Sequence, residues 1–137
     1  MSPESLVADR LEIADLFTRF ALLLDERRWD DAGTVFAEDV VVGSPLGGEV
    51  RGVADLVEHM RGSEIEGVAT QHLTTDLLVG IDGDRASASA NSLVYFFRDG
   101  RPPHRTSGLR LNCTAVRTPG GWRLGEARIT LAWTHET

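Results

Sequence analysis

Apolar residues near the start of the chain recur at the spacing of a helix. Ile13, Phe17 and Ala21 stand four residues apart and therefore share one face, and further apolar residues fill the neighbouring positions. Pro3 suits the first turn of such an element. The pattern predicts a helix over residues 4–24 with one broad apolar face.

Shorter elements follow before the pattern changes. Apolar residues on one side predict a second, short helix over residues 29–36. The β-branched run 40–42 is typical of a strand, and the Ser, Pro and Gly residues in 44–48 predict a loop. Residues 53–61 have the i, i+3, i+4, i+7 pattern of a third helix, which Gly62 would end.

From about residue 68 onward the sequence pattern is typical of β-strands. Asp82-Gly83-Asp84 is a strong hairpin signal, and Pro119-Gly120-Gly121 predicts a second turn. The predicted strands cover residues 70–81, 85–98, 106–118 and 122–133. Helices followed by a long antiparallel meander predict an α+β fold, a single domain over residues 1–137 whose sheet curls around the helices.

Composition and charge narrow the possible partners. The chain has 137 residues, of which 42% are hydrophobic and 26% charged, an ordinary globular balance. Its formal net charge of −7 argues against nucleic acid, which attracts clustered positive charge. There is no apolar run as long as a membrane span and no signal-peptide pattern. We therefore expect a cytoplasmic protein with neither a nucleic-acid nor a membrane partner.

Two absences in the composition limit the chemistry. Cys113 is the single cysteine, so an intrachain disulfide and a multi-cysteine zinc site are excluded. All 14 basic residues are arginine, which excludes a lysine Schiff base and a Walker-type phosphate loop. The four histidines are dispersed and lack the spacing of a metal site, so no metal is expected.

Asp25 stands four residues beyond Ala21 and so falls on the apolar face of the first predicted helix. A carboxylate buried there needs a partner, because burying an unpaired charge is costly. The alternative is a residue at the helix end that turns to solvent or accepts from a nearby backbone amide. The helical phase alone leaves both interpretations open.

Several short segments, in their order and spacing, resemble the SnoaL-like branch of the NTF2-like superfamily, and the resemblance covers nearly the whole chain. They are Leu23-Leu24-Asp25, Arg28-Trp29-Asp30, Phe36-Ala37-Glu38-Asp39-Val40, Gly52, Thr70-Gln71-His72, Asp82-Gly83-Asp84-Arg85-Ala86 and Gly121-Trp122-Arg123-Leu124.

The resemblance implies a cone in which a strongly curved, mostly antiparallel sheet and the helices enclose a deep pocket. It also implies an acid–base enzyme without a cofactor, a lyase or isomerase of the dehydratase or cyclase type. The expected ligand is a small, largely apolar, oxygenated molecule, such as a polyketide or a steroid-like compound of secondary metabolism. A homodimer or trimer is expected. The alternative is a non-catalytic binding or dimerisation module of the same fold.

The resemblance also implies which residues react. Similar dehydratases place a histidine at His72, where it meets the helix-end Asp25; the imidazole acts as general base and then acid, and the carboxylate orients it. On its strand, His72 is expected to share a face with Thr70, Thr74 and Asp76. Tyr95, the only tyrosine, stands where similar proteins have a second pocket histidine, and its phenol would polarise a carbonyl. Its alternative role is a half-buried aromatic of the sheet.

A wider group of residues is expected to line the pocket, with core packing as the alternative for most of them. The candidates are Phe20, Trp29, Met60, Asn91, Phe97, Leu111 and Cys113. Asn91 and Phe97 are included because they would share a strand face with Tyr95. Whether Leu111 or Asn112 faces the pocket stays open, since a slip of one residue exchanges the two faces of a strand. Val94 and Phe96, or Trp133, are the exposed residues expected to join two copies.

Overall fold

The structure, a computed structural model, describes residues 2–137 and consists of two α-helices, one 3-10 helix and six strands. In chain order the elements are α1 (Pro3–Asp25), the 3-10 helix (Trp29–Thr34), β1 (Phe36–Gly43), β2 (Glu49–Arg51), α2 (Val53–Gly62), β3 (Ala69–Asp82), β4 (Arg85–Phe97), β5 (Arg105–Thr118) and β6 (Gly121–Glu136). The predicted α+β fold is confirmed, and both long helices and the four long strands lie where the sequence predicts them.

The six strands form one curved, unclosed sheet in the order β2-β1-β6-β5-β4-β3. All neighbours are antiparallel except β1 and β6, which run parallel. The helices pack on the concave side. The core between them includes Ile13, Leu23, Val40, Trp122 and Leu124, which are at most 1% exposed. The long meander therefore supplies one wall of the interior and α1 fills it.

The largest differences in the bounds of the elements lie in residues 29–51. The second helix is a 3-10 helix that ends at Thr34, because the chain joins the sheet there: the N–H of Leu124 donates to the carbonyl of Val35 (2.8 Å). Phe36 already belongs to β1, and its ring meets that of Phe20 edge to face at 5.1 Å. The three-residue β2 was not predicted, since it is too short to show an alternating pattern.

The two faces of the sheet can be followed from strand to strand by the register. Residues directly opposite each other on antiparallel strands point to the same side. His72 lies opposite Val94, and Val94 lies opposite Ser107, so these three face the concave side. On β4 the even-numbered residues from 86 to 94 are buried, which is the same side. The odd-numbered residues of β4 face outward.

A buried polar group anchors the N-terminal half of α1 to the last two strands. Asp9, only 8% exposed, accepts two hydrogen bonds from the Arg117 guanidinium (3.1 and 2.9 Å) and one from Nε1 of Trp122 (3.0 Å). The guanidinium also stacks over the Trp122 ring at 4.5 Å. One turn further along α1, Glu12 accepts from the backbone N–H of Trp122 (2.6 Å). This anchor sets the position of α1 along the sheet.

Within residues 2–137, neither helix is both long and apolar enough to cross a membrane.

Candidate active site

The carboxylate of Asp25 and the ring of His72 are in direct contact. Nδ1 of His72 lies 2.5 Å from Oδ1 of Asp25. The same carboxylate accepts from the backbone N–H of His72 through Oδ2 (2.8 Å) and from the hydroxyl of Thr70 through Oδ1 (3.0 Å). The two side chains are 16% and 13% exposed, respectively. The predicted partner of the carboxylate is therefore present, and its position is set by three hydrogen bonds.

Two elements distant in sequence bring this pair together. Asp25 is the last residue of α1 and lies on its inward face, and His72 is the fourth residue of β3. Helix α1 ends there because Arg27 takes a left-handed conformation (φ 54°), while the N–H of Arg28 bonds back to the carbonyl of Leu23 (2.9 Å). The helix end thus meets the start of the edge strand.

The hydrogen bonds determine both the charge of Asp25 and the tautomer of His72. Burial raises the pKa of Asp25, but the bonds from His72 and Thr70 outweigh it, and the net pKa lies below its ordinary value. An ionised carboxylate only accepts hydrogen bonds, so Nδ1 of a neutral imidazole must carry the proton. Nε2 then has a free lone pair, and no side chain among residues 2–137 bonds to it.

A cavity of about 430 Å³ opens next to this pair. Its apolar wall includes Leu24, Val94, Leu109 and Leu131, and exposed residues such as Leu46 lie at its mouth. A second space of about 40 Å³, here called the inner extension, lies between α1 and the sheet, and His72 lines both spaces. The imidazole therefore stands at the junction of the cavity and its apolar inner end.

The sequence prediction for the facing of β4 is wrong. Tyr95 lies opposite Gln71 and Thr106 on the outer face of the sheet, away from the cavity. Asn91 and Phe97 share that face because side chains alternate along a strand. Val94 and Phe96, which were expected to be exposed, line the cavity instead.

Asp76 also departs from its predicted face. The register of β3 shifts between Thr75 and Leu78, and Asp76 has a left-handed backbone (φ 55°) within this bulge. The bulge turns Asp76 to the outer face, where it accepts a hydrogen bond from Asn91 (3.0 Å). Thr74 keeps the predicted face and borders the inner extension together with His72.

The other predicted lining residues fall into three places. Trp29 and Met60 line the main cavity, and Phe20 and Leu111 line the inner extension. Leu111 rather than Asn112 faces inward, which resolves the register left open by the sequence. Cys113 is buried in the core away from both spaces, and burial raises the pKa of its thiol to about 12. Cys113 therefore lines neither of these two spaces, and its thiol stays protonated at neutral pH.

Comparison with known proteins gives the family. The model of the SnoaL-like domain family matches residues 5–128. The chain belongs to the SnoaL-like family. The uncharacterized protein Rv2910c of Mycobacterium tuberculosis is 30% identical over 122 residues, which cover 86% of this chain and 82% of that protein. Asp25 and His72 both lie within the matched family region.

Solved structures show the same fold. The protein Kfla4162 from Kribbella flavida superimposes with a TM-score of 0.85 at 25% identity, over 95% of each chain. A putative scytalone dehydratase from Novosphingobium aromaticivorans gives 0.85 at 14% identity, over 99% of this chain and 92% of that one. A hexachlorocyclohexane dehydrochlorinase, LinA type 2, gives 0.86 at 14% identity, over 99% and 93%. The last two likenesses show the fold of this SnoaL-like chain and not its reaction.

Several residues of the SnoaL-like cavity escaped the sequence analysis. Thr70 was placed on the face of His72 but not recognised as a hydrogen-bond donor to Asp25. Phe96, Ser107 and Arg105 were missed because the facing of β4 determines which residues of β5 turn inward. The alternating Ala86, Ala88 and Ala90 upstream carry the signal, since small apolar residues at even positions mark the buried side of β4.

Among residues 2–137, no group of three or more His, Cys, Asp or Glu side chains is arranged to hold a metal ion. The absence of a cofactor stays a prediction.

The lowered pKa of Asp25 predicts how stability depends on pH. Because the pKa is lower in the folded state than the ordinary value of about 3.9, the unfolded chain takes up the proton first on acidification. The bonds to Asp25 therefore contribute fully above about pH 5, and this contribution falls as the pH drops through the folded-state pKa. Urea unfolding measures the free energy of unfolding at pH 7 and at pH 3.5. Between these two pH values it should fall further in the wild type than in Asp25→Asn. An equal loss in both proteins would contradict the assignment.

Proposed function

We propose that the protein is an acid–base enzyme in which Nε2 of His72 removes a proton from carbon and later returns it. The observation that carries the proposal is the state of the imidazole: Nδ1 is bonded to an ionised carboxylate, Nε2 has no side-chain partner within residues 2–137, and His72 lines a largely apolar cavity. A positioned general base of this kind contributes about 10²- to 10⁴-fold in rate.

The proposed chemistry balances without a further reagent. The C–H bond next to an electron-withdrawing group breaks, its proton moves to Nε2, and Asp25 stabilises the resulting imidazolium. In a dehydration the C–O bond then breaks and the proton passes to the departing hydroxide as water. In an isomerisation or cyclisation the proton returns to another atom of the same molecule. Tyr95 has no part in this scheme because it lies on the opposite face of the sheet.

The cavity suggests the size and polarity of the substrate. At roughly 30 Å³ per water-sized group, 430 Å³ accommodates on the order of 14 non-hydrogen atoms. The wall beside His72 is formed by aliphatic side chains such as Val94 and Leu109. A small, mostly apolar oxygenated ring compound fits both constraints; polyketide and steroid-like fragments are the classes we propose.

Proton exchange tests the proposal without a known substrate. Carbonyl-containing ring compounds are incubated with the protein in D₂O, and deuterium incorporation at carbon is followed by NMR. We expect exchange with at least one compound, lowered about 10²- to 10⁴-fold in His72→Ala. His59→Ala is the matched control, because His59 lines the same cavity without contacting Asp25. Exchange at the full rate in His72→Ala would contradict the proposal.

A binding module without turnover is the second candidate. In that case a compound binds the cavity, but its carbon-bound protons do not exchange faster than in buffer.

One surface on the outer face of the sheet remains a candidate for the expected homodimer. There Leu73, Leu93, Gly108 and Trp133 form one row across four strands. Leu73 and Trp133 in this row are 43% and 48% exposed.

A further inference from the structure

We propose that Arg105 forms an anion-binding subsite in the cavity and that the protein's ligands carry a carboxylate there. This deepens the proposed function by naming a substrate class, amphiphilic acids with an apolar body and one anionic end. It rests on the proposed function in that the same cavity is used, but binding alone tests it.

The sheet register places Arg105 on the wall that carries His72. Thr70 pairs with Phe96 and Phe96 pairs with Arg105, so the three form one row on the concave face. His72, Val94 and Ser107 form the next row inward. With strands about 4.8 Å apart and about 3.3 Å per residue, the Cα atoms of Arg105 and His72 are separated by roughly 12 Å.

Neighbouring residues position the guanidinium of Arg105 but leave some of its hydrogen-bond donors unpaired. It stacks over the ring of Phe96 at 4.8 Å from the centroid. Its Nε approaches Thr134 Oγ1 at 3.4 Å and Glu136 at 3.8 Å, and its two terminal nitrogens make no hydrogen bond to any residue of 2–137. A guanidinium stacked on an aromatic ring presents its planar fork ready for a carboxylate.

The other charges around the cavity already have partners. Asp25 is bonded to His72. Glu64 accepts from Nε1 of Trp29 (2.8 Å) and lies 3.9 Å from Nε of Arg27, whose Nη2 donates to the carbonyl of Val68 (2.8 Å).

Arg105 also has an ionic partner, since its Nε lies 3.8 Å from Glu136, but that partner is 71% exposed. Exposed ion pairs of this kind are weak. Arg105 therefore keeps its two terminal nitrogens available on the cavity wall, because neither is hydrogen-bonded within residues 2–137.

This placement orders a ligand along the cavity. A carboxylate on Arg105 directs the apolar body past Val94 and Leu109 toward His72. The reacting carbon and the carboxylate then lie between two residues whose Cα atoms are roughly 12 Å apart.

Calorimetric titration with a matched pair of probes tests the subsite. 2-Naphthoate and 2-naphthamide have the same apolar body and differ in the charge of the polar end. We expect the wild type to bind the naphthoate about tenfold more tightly, as a charge-assisted bond to one guanidinium allows. Arg105→Gln should remove this preference and Arg105→Lys should retain part of it. The matched control is Arg110→Gln, since Arg110 is exposed on the same strand and should leave the preference unchanged.

Equal binding of the two probes to the wild type, an undiminished preference in Arg105→Gln, or binding of neither probe at millimolar concentration would overturn the subsite. His72→Ala separates this proposal from the proposed function, because it should keep the preference for the naphthoate. Proton exchange without an Arg105-dependent preference would support the proposed enzyme and rule out the anion subsite. An Arg105-dependent preference for the naphthoate without proton exchange would support the subsite and rule out the proposed enzyme.

Discussion

Replacing Asp25 with asparagine is expected to lower turnover by about 10²- to 10⁴-fold while the fold is retained. The reason is the orientation that the new amide must adopt. The backbone N–H of His72 points at the Oδ2 position of Asp25 and requires an acceptor there. The amide oxygen therefore occupies that position, and the NH₂ group faces Nδ1 of His72.

An NH₂ group in that place reverses the imidazole tautomer. It donates to Nδ1, so the proton of the neutral ring moves to Nε2, the atom that the mechanism needs free. The variant also lacks the negative charge that stabilises the imidazolium. Both losses act on the same proton transfer, so Asp25→Asn and His72→Ala combined should cost little more than His72→Ala alone.

Two measurements check this prediction. Turnover or exchange of the compound found by the D₂O screen gives the rate, and ¹⁵N shifts of the labelled His72 ring report the tautomer without any substrate. Thr70→Val is the control, because it removes one bond to Asp25 and leaves the carboxylate and both His72 contacts in place. An Asp25→Asn protein that keeps its rate within tenfold, or keeps the proton on Nδ1, would contradict the mechanism.

Replacing Trp122 with alanine is expected to lower the free energy of unfolding by about 3–5 kcal/mol. Its side chain is fully buried, packs against the Arg117 guanidinium and donates to Asp9. The substitution leaves a large cavity and takes away one of the donors of a buried carboxylate. Since small domains are stable by roughly 5–15 kcal/mol, this is about a fifth or more of the total.

Urea unfolding followed by circular dichroism measures the effect. Trp122→Phe tests how much of the loss is packing, since it keeps a buried aromatic ring but loses the Nε1 donor and part of the buried volume. We expect it to cost about 1–3 kcal/mol. A loss below about 1.5 kcal/mol in Trp122→Ala would mean that the anchor does not stabilise the fold.

Local patterns predicted most of the fold. The long strands of the meander were predicted within a few residues because hairpin signals and composition mark their ends. β1 was predicted too short, as residues 40–42 only, because Glu38 and Asp39 are exposed in mid-strand and interrupt its apolar pattern. Contacts of the three-residue β2 with β1 are tertiary and have no local signal.

The sequence predicted the central Asp25–His72 pair of the candidate site, but not most of the residues that line the cavity around it. Asp25 was predicted because it continues the apolar row Ile13, Phe17 and Ala21 at the same spacing of four, and the family resemblance supplied His72. It was harder to predict which face of β4 turns inward, because both faces carry large apolar or aromatic residues. Leu93 and Tyr95 lie on one face, and Val94 and Phe96 lie on the other. Only pairing with β3 decides between them, and a single strand does not contain its partner's register.

The anchor of α1 was beyond local prediction for a different reason. Asp9 and Trp122 are 113 positions apart, and nothing near either one signals the other. One of several acidic residues on an amphipathic helix is most simply interpreted as solvated, whereas Asp9 is buried and bonded to three donors.

The placement of this anchor gives α1 a mechanical role. Asp9 and Asp25 stand at opposite ends of one helix, about 24 Å apart at 1.5 Å per residue. The helix acts as a strut: near its N-terminus Asp9 holds it to β5 and β6, and at its C-terminus Asp25 holds a carboxylate against an imidazole. Because a misplacement of about 1 Å can cost a hundredfold in rate, the far end of the strut sets the alignment of groups it never touches.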